Sequence, residues 1–270
     1  MTEQLGKIEK PEAEQFKGGK KLYLVPLIFS GEDTPPEYKE RCHRYWQQVA
    51  EQLANLEEKI GKVNRVYHES ISLSGEEGMK LAEKINQSCY QIAKSKCDNE
   101  ATFEAFEDRE LLEEIIDWER CLLLGFVTVK VASKVSEFYT ETSKKRYEFM
   151  VSRITETLKD NEAGLLFIRE GHRLQFPKDI EVFSISPPGL DEIHRWLRDE
   201  ASKEKETREE ELKEKEKEKE EGEEEGKEEQ PREEEAREEE TREEEGKEKE
   251  EETREEGSKG EEPRETEEKK

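Results

Sequence analysis

Apolar residues recur along the first 200 positions in two rhythms. Leu22–Phe29 (LYLVPLIF) and Gly164–Ile168 (GLLFI) are continuous apolar runs of strand length, and Val63–Tyr67 and Ile180–Ile185 read as two further strands. Pro26 removes a ladder donor from the first run, which points to an edge position or a bulge. Elsewhere apolar residues step by three and four. Cys42, Trp46, Val49, Leu53, Leu56 and Ile60 share one face of a helix from about residue 36 to 60, with Gly61 as its C-cap. A second helix is predicted from Ser74, with Glu77 completing a capping box and Ala82, Ile85, Cys89 and Ile92 turned inward.

From about Thr102 to Lys159 the pattern is helical in two or three pieces. Leu112, Ile115, Ile116 and Leu122 form one stripe, and Gly125 breaks or bends the chain after it. Val127, Val131, Val135 and Phe138 form the next, although the β-branched residues leave a strand over Phe126–Val131 open. Tyr147, Met150, Ile154 and Leu158 form the last. Ser186-Pro187-Pro188-Gly189 then opens a final helix with Ile193, Trp196 and Leu197 packed inward. Strands separated by helices predict an α/β fold: a mostly parallel sheet of about four strands covered by helices, with a long helical insertion at about 100–160.

The same reading divides the chain. Residues 1–20 form a polar leader ending in Gly18-Gly19 and expected to be flexible, 21–200 the α/β domain, and 201–270 an acidic tail expected to be disordered. The tail holds 35 Glu against 18 Lys and Arg, a net of −17, so the first 200 residues carry −9 of the chain's −26. Its apolar residues are Ala201, Leu212 and Ala236 alone, too few to offset the entropy of ordering it. A five-residue repeat runs through Arg232, Arg237 and Arg242, each followed by three Glu. It reads first as a solubilising repeat, and second as an interaction segment for basic partners.

Charge and motifs narrow the function classes. The acidic balance argues against nucleic-acid binding, which calls for clustered Lys and Arg. The longest uncharged apolar run, Cys121–Val129, is far short of the roughly 20 residues that span a bilayer, so membrane insertion is not expected. With no apolar leader the protein is expected to be cytoplasmic. Cys42, Cys89, Cys97 and Cys121 show neither a CxxC pair nor metal-type spacing and read as small apolar residues within or at the ends of helices. No GxGxxG, GxxxxGK[ST], HExxH or GxSxG motif is present. His43 and His194, beside Arg44 and Arg195 on helices, read as surface or boundary residues.

Ligands of open α/β sheets bind beyond the carboxyl ends of the strands. Glu32 and Asp33 follow the first predicted strand, His68 and Glu69 the second, and Glu170, Gly171 and His172 the third apolar one. Imidazole and carboxylate together suit a divalent metal with an activated water, or a metal-free acid and base pair. The plainer alternative is that these loops are polar because they are wet.

Arg146-xxx-Met150-xxx-Ile154 on a helix, followed by a strand (LLFI) running into Gly171-His172, resembles the C-terminal half of TraB/PrgY-like proteins, of the erythromycin-esterase and ChaN-like group. The resemblance covers about 30 residues, mainly 146–172. It implies a comparable fold, Glu69 as the carboxylate after the second strand and Arg146 as the helical arginine that holds an anionic group. Two positions depart from it. The loop Phe29–Thr34 lacks the His such proteins carry, and Arg169 stands where they have the first glycine of GxGH. The resemblance therefore implies the fold more than the metal-dependent hydrolysis. Two functions are expected in consequence: first a non-enzymatic interaction or scaffold protein whose helical insertion and tail meet a protein partner, and second a divergent hydrolase using Glu69, His172 and Arg146, with Glu32, His68 or Glu170 assisting.

Overall fold

The computed structural model describes residues 18–213 and 215 of the chain, so most of the predicted leader and most of the tail lie outside the described residues. The chain divides into two compact units, 1–198 and 199–270. In the second unit the described residues 199–213 are helical, and every side chain from 201 to 213 is exposed, as a segment with one leucine requires.

The first unit is an α/β fold. Five strands, β1 (Lys20–Pro26), β2 (Val63–His68), β3 (Thr102–Phe103), β4 (Ala163–Ile168) and β5 (Ile180–Ser184), form one sheet in the order β3-β2-β4-β1-β5, and every neighbouring pair is parallel. Its helices are α1 (Pro36–Lys59), α2 (Gly75–Ile85), α3 (Gln87–Cys97), α4 (Arg109–Leu124), α5 (Val129–Thr157) and α6, which starts at residue 188. β4 enters late and slots between β1 and β2, and β5 pairs with the other side of β1, so β1 is interior. Pro26 does not mark an edge. It is the last residue of β1, where its missing N–H costs least.

The period of two along the strands sorts side chains to the two faces. Tyr23, Val25, Val66, Leu165 and Phe167 join α1, α3 and α6 in one core, through Val49, Leu53, Ala93 and Ile193. Leu22, Leu24, Tyr67, Leu166 and Ile168 face the other way and pack on α5 through Met150, Ile154 and Leu158. Each of these fully buried aliphatic side chains contributes roughly 1.5–3 kcal/mol. Gly164 marks how closely the layers meet, since a Cβ there would lie 2.9 Å from Leu22 Cδ1 and 3.0 Å from Tyr67.

Several local expectations change. Among the described residues there are five strands, not about four, because β3 is only two residues long and lies inside what the pattern assigns to helix. That helix begins at Arg109, capped by the Asp108 carboxylate accepting from Leu111 N at 2.9 Å. Asn86 splits the second predicted helix into α2 and α3 and caps α3 by accepting from Cys89 N, which leaves Ile85 exposed. Ser74 is the N-cap of α2 but makes no side-chain cap bond, so the expected capping box does not form. Phe126–Val131 is not a strand: Gly125, at φ 73°, ends α4, and α5 begins at Val129. Leu197 is exposed, while Ile193 is buried as expected. Among the described residues, no helix is long and apolar enough to cross a membrane.

Candidate functional site

The carboxyl ends of β3, β2 and β4, adjacent in the sheet, each deliver one charged residue to the α5 face. Glu69 follows β2 directly, its N–H donating to Phe167 O at 2.9 Å and so prolonging the pairing with β4. It follows Tyr67 by two positions and therefore points to the same face. Glu107 comes from the loop after β3, held by its own N–H and that of Phe106 donating to Ile71 O. Arg169 follows β4. Arg146 reaches down from α5, one turn before Met150.

These four side chains form a connected ionic cluster. Arg146 Nη2 donates to Glu69 Oε1 at 3.2 Å, Arg146 Nε donates to Glu107 Oε2 at 2.8 Å, and Arg146 Nη2 also donates to Glu107 Oε1. Arg169 holds Glu69 from the other side, with its backbone N–H 2.7 Å from Oε2 and its Nε 2.6 Å from Oε1. Ser70, at φ 72°, turns its N–H to Glu107 Oε1 at 3.0 Å. Glu69, Glu107 and Arg146 are buried, and Arg169 is half-exposed. Burial works against the charge on Arg146, but its bonds to Glu107 and Glu69 and their charges outweigh this and raise its pKa. The three buried groups are two carboxylates and one guanidinium. The second guanidinium, Arg169, reaches Glu69 from the half-exposed edge, where its Nη1 also lies 3.7 Å from Glu119 Oε1. Burial of such charges is tolerated only with this pairing.

The other predicted site residues do not join the cluster. His68 precedes Glu69 by one residue and so lies on the opposite face of the sheet, its ring 6.1 Å from that of Phe167. Its Nδ1 contacts Glu69 O, its buried Nε2 has no partner, and burial pushes its pKa down to about 4. His172 is half-buried against Phe176, its Nδ1 also without a partner; burial lowers its pKa, with the Glu69 charge pulling the other way. Glu170 is exposed and pairs at 2.7 Å with His194, which lies at the surface as expected. Glu32 is exposed on the loop after β1, where its carbonyl accepts from Lys39 Nζ. Of the six predicted residues, Glu69 and Arg146 meet.

Glu107 and Arg169 are the members that sequence reasoning missed. Glu107 was hidden because a two-residue strand leaves no periodic signal, so its loop read as helix. Arg169 did have a signal, as the residue standing in place of a glycine in the resembled motif.

A divalent metal does not fit this set. The carboxylate oxygens of Glu69 and Glu107 already accept from arginine, and among the described residues no three His, Cys, Asp or Glu gather to hold an ion. Beside the cluster, Arg169, Gly171, Arg173 and the outer surface of α5, with Ser143 and Tyr147, line an open groove of about 1020 Å³. The parallel sheet with helices on both faces and an ionic cluster at its carboxyl edge makes this an α/β protein of open-sheet type. No protein-family model, no curated protein and no solved structure matches the chain.

Proposed function

We propose that the chain is a non-enzymatic interaction or scaffold protein. The observation that carries this is Arg169. In the TraB/PrgY-like arrangement that residues 146–172 resemble, a glycine stands there. Here a guanidinium and a backbone N–H occupy both oxygens of Glu69. A carboxylate whose two oxygens already accept from two arginines is not held open toward a substrate or a metal ion. The cluster serves as a clamp that ties α5 to three strand ends, and the α4–α5 hairpin it anchors is the element offered to a protein partner. The described start of the acidic tail, residues 201–213, is a second exposed surface on the same chain.

A second reading, a divergent TraB-like hydrolase, draws on His172. Its free Nδ1 lies in the loop that lines the groove, next to Gly171. Assay of the full chain against ester, phosphoester and peptide substrates, alongside His172→Ala, tests the choice. The interaction reading expects no turnover that the variant loses. Turnover abolished by His172→Ala with melting unchanged overturns it.

A further inference from the structure

The outer half of the hairpin exposes a run of large apolar side chains. Cys121–Val129 holds no charge, and Leu123 and Leu124 are each 87% exposed, Val129 83% and Val127 wholly so. Isolated exposed apolar residues need no explanation, but a contiguous patch marks a contact surface. The patch continues down both helices. On α4, Ile116 lies one heptad before Leu123, and on α5, Val131 lies one heptad before Phe138, all four exposed. Seven-residue spacing of exposed apolar side chains fits a helix laid alongside, and the acidic excess of α4 disfavours the anionic lipid surface that interfacial helices bind.

Charge selects the partner. α4 carries five acidic residues against two arginines, while the first 17 residues of α5 carry four lysines against two glutamates. The exposed ion pairs Arg109–Glu113, Arg120–Asp117, Lys134–Glu137 and Lys145–Glu141 each lie within a single helix, while Glu119 of α4 pairs with Arg169 at 3.7 Å, and such exposed pairs are weak enough to be exchanged. A two-fold axis that sets α4 of one copy against α5 of another places acidic helix on basic helix twice over. We propose that the chain self-associates through this half of the hairpin, two copies forming an antiparallel four-helix arrangement around Ile116, Leu123, Val131 and Phe138. The proposal rests on reading the hairpin as the interaction element and adds the identity of its partner.

Sedimentation of the full chain across micromolar concentrations tests it, with Leu123→Glu/Val127→Glu and, separately, Val131→Lys as variants. The expected result is a species of twice the chain mass that both variants convert to one chain, with melting of the domain unchanged. A dimer that survives both variants overturns the proposal, as does a wild-type chain that stays monomeric throughout. Vesicles of mixed phosphatidylcholine and phosphatidylglycerol form a second arm. A monomeric wild type that co-sediments with them, and a Leu123→Glu/Val127→Glu variant that does not, would assign the patch to lipid and overturn the second-copy assignment. Failure here leaves the non-enzymatic reading standing, since that reading falls only to His172-dependent turnover.

Discussion

The two halves of α5 obey the same helical rhythm and meet opposite fates. From Thr142 onward, Arg146, Met150 and Ile154 are buried at steps of four against the sheet. Before Thr142 no α5 side chain is buried, although Val131, Val135 and Phe138 repeat with similar spacing. Thr142 itself marks the boundary, its hydroxyl donating to Glu114 Oε1 at 2.8 Å, with Trp118 and Phe138 stacked one turn further out. Periodicity shows that a helix has an apolar face. It does not say whether the face meets its own domain or another surface.

The sharpest way to break the inner half is Arg146→Leu. It leaves Glu107 buried without its arginine and Glu69 held by Arg169 alone, and is expected to cost about 3–5 kcal/mol in urea unfolding. A loss below about 1 kcal/mol would mean that water enters the cluster freely.

Met150→Ala should cost about 2–5 kcal/mol through the cavity it leaves, while Val131→Ala on the outer half should change the stability of the isolated chain by less than about 0.5 kcal/mol. Equal effects at the two positions would erase the contrast between the halves.

The opposite face of the sheet carries one source of pH dependence. Folded His68 takes up its proton only near pH 4, whereas the unfolded chain does so near pH 6.5. Between these values the unfolded state binds more protons, so stability is fully present above pH 6.5 and falls as the pH drops through the window, by about 3 kcal/mol. Chemical unfolding at stepped pH checks this, and His68→Gln should flatten the slope. An unchanged slope in the variant would assign it to other groups.

The smallest effect is expected from deleting residues 201–270. The segment carries three apolar residues, so the melting temperature of the rest should hardly move. A drop of several degrees would show that the tail packs on the domain.

Part of the site was legible before the fold was known. Glu69 and Arg146 followed from a strand end and a motif that set them on elements meeting at the carboxyl edge. Glu107 was not legible, because the strand before it is two residues long and carries too little pattern to outweigh the helical rhythm around it. His68 was misplaced for a simpler reason. Adjacent strand residues point to opposite faces, so His68 and Glu69 cannot share a site on one side of the sheet.

By itself the sequence determined the α/β class, four of the five strands, the three- and four-step faces of the helices, the turn at Gly125 and the change of composition near residue 200. All of these are local quantities, carried by hydrophobic spacing, glycine and charge density along the chain. Tertiary structure alone decided that β4 inserts between β1 and β2, that Arg169 spends its guanidinium on Glu69, and that the outer α4–α5 faces remain open. Those outcomes depend on which surfaces arrive opposite one another in space, and a one-dimensional pattern carries no record of that.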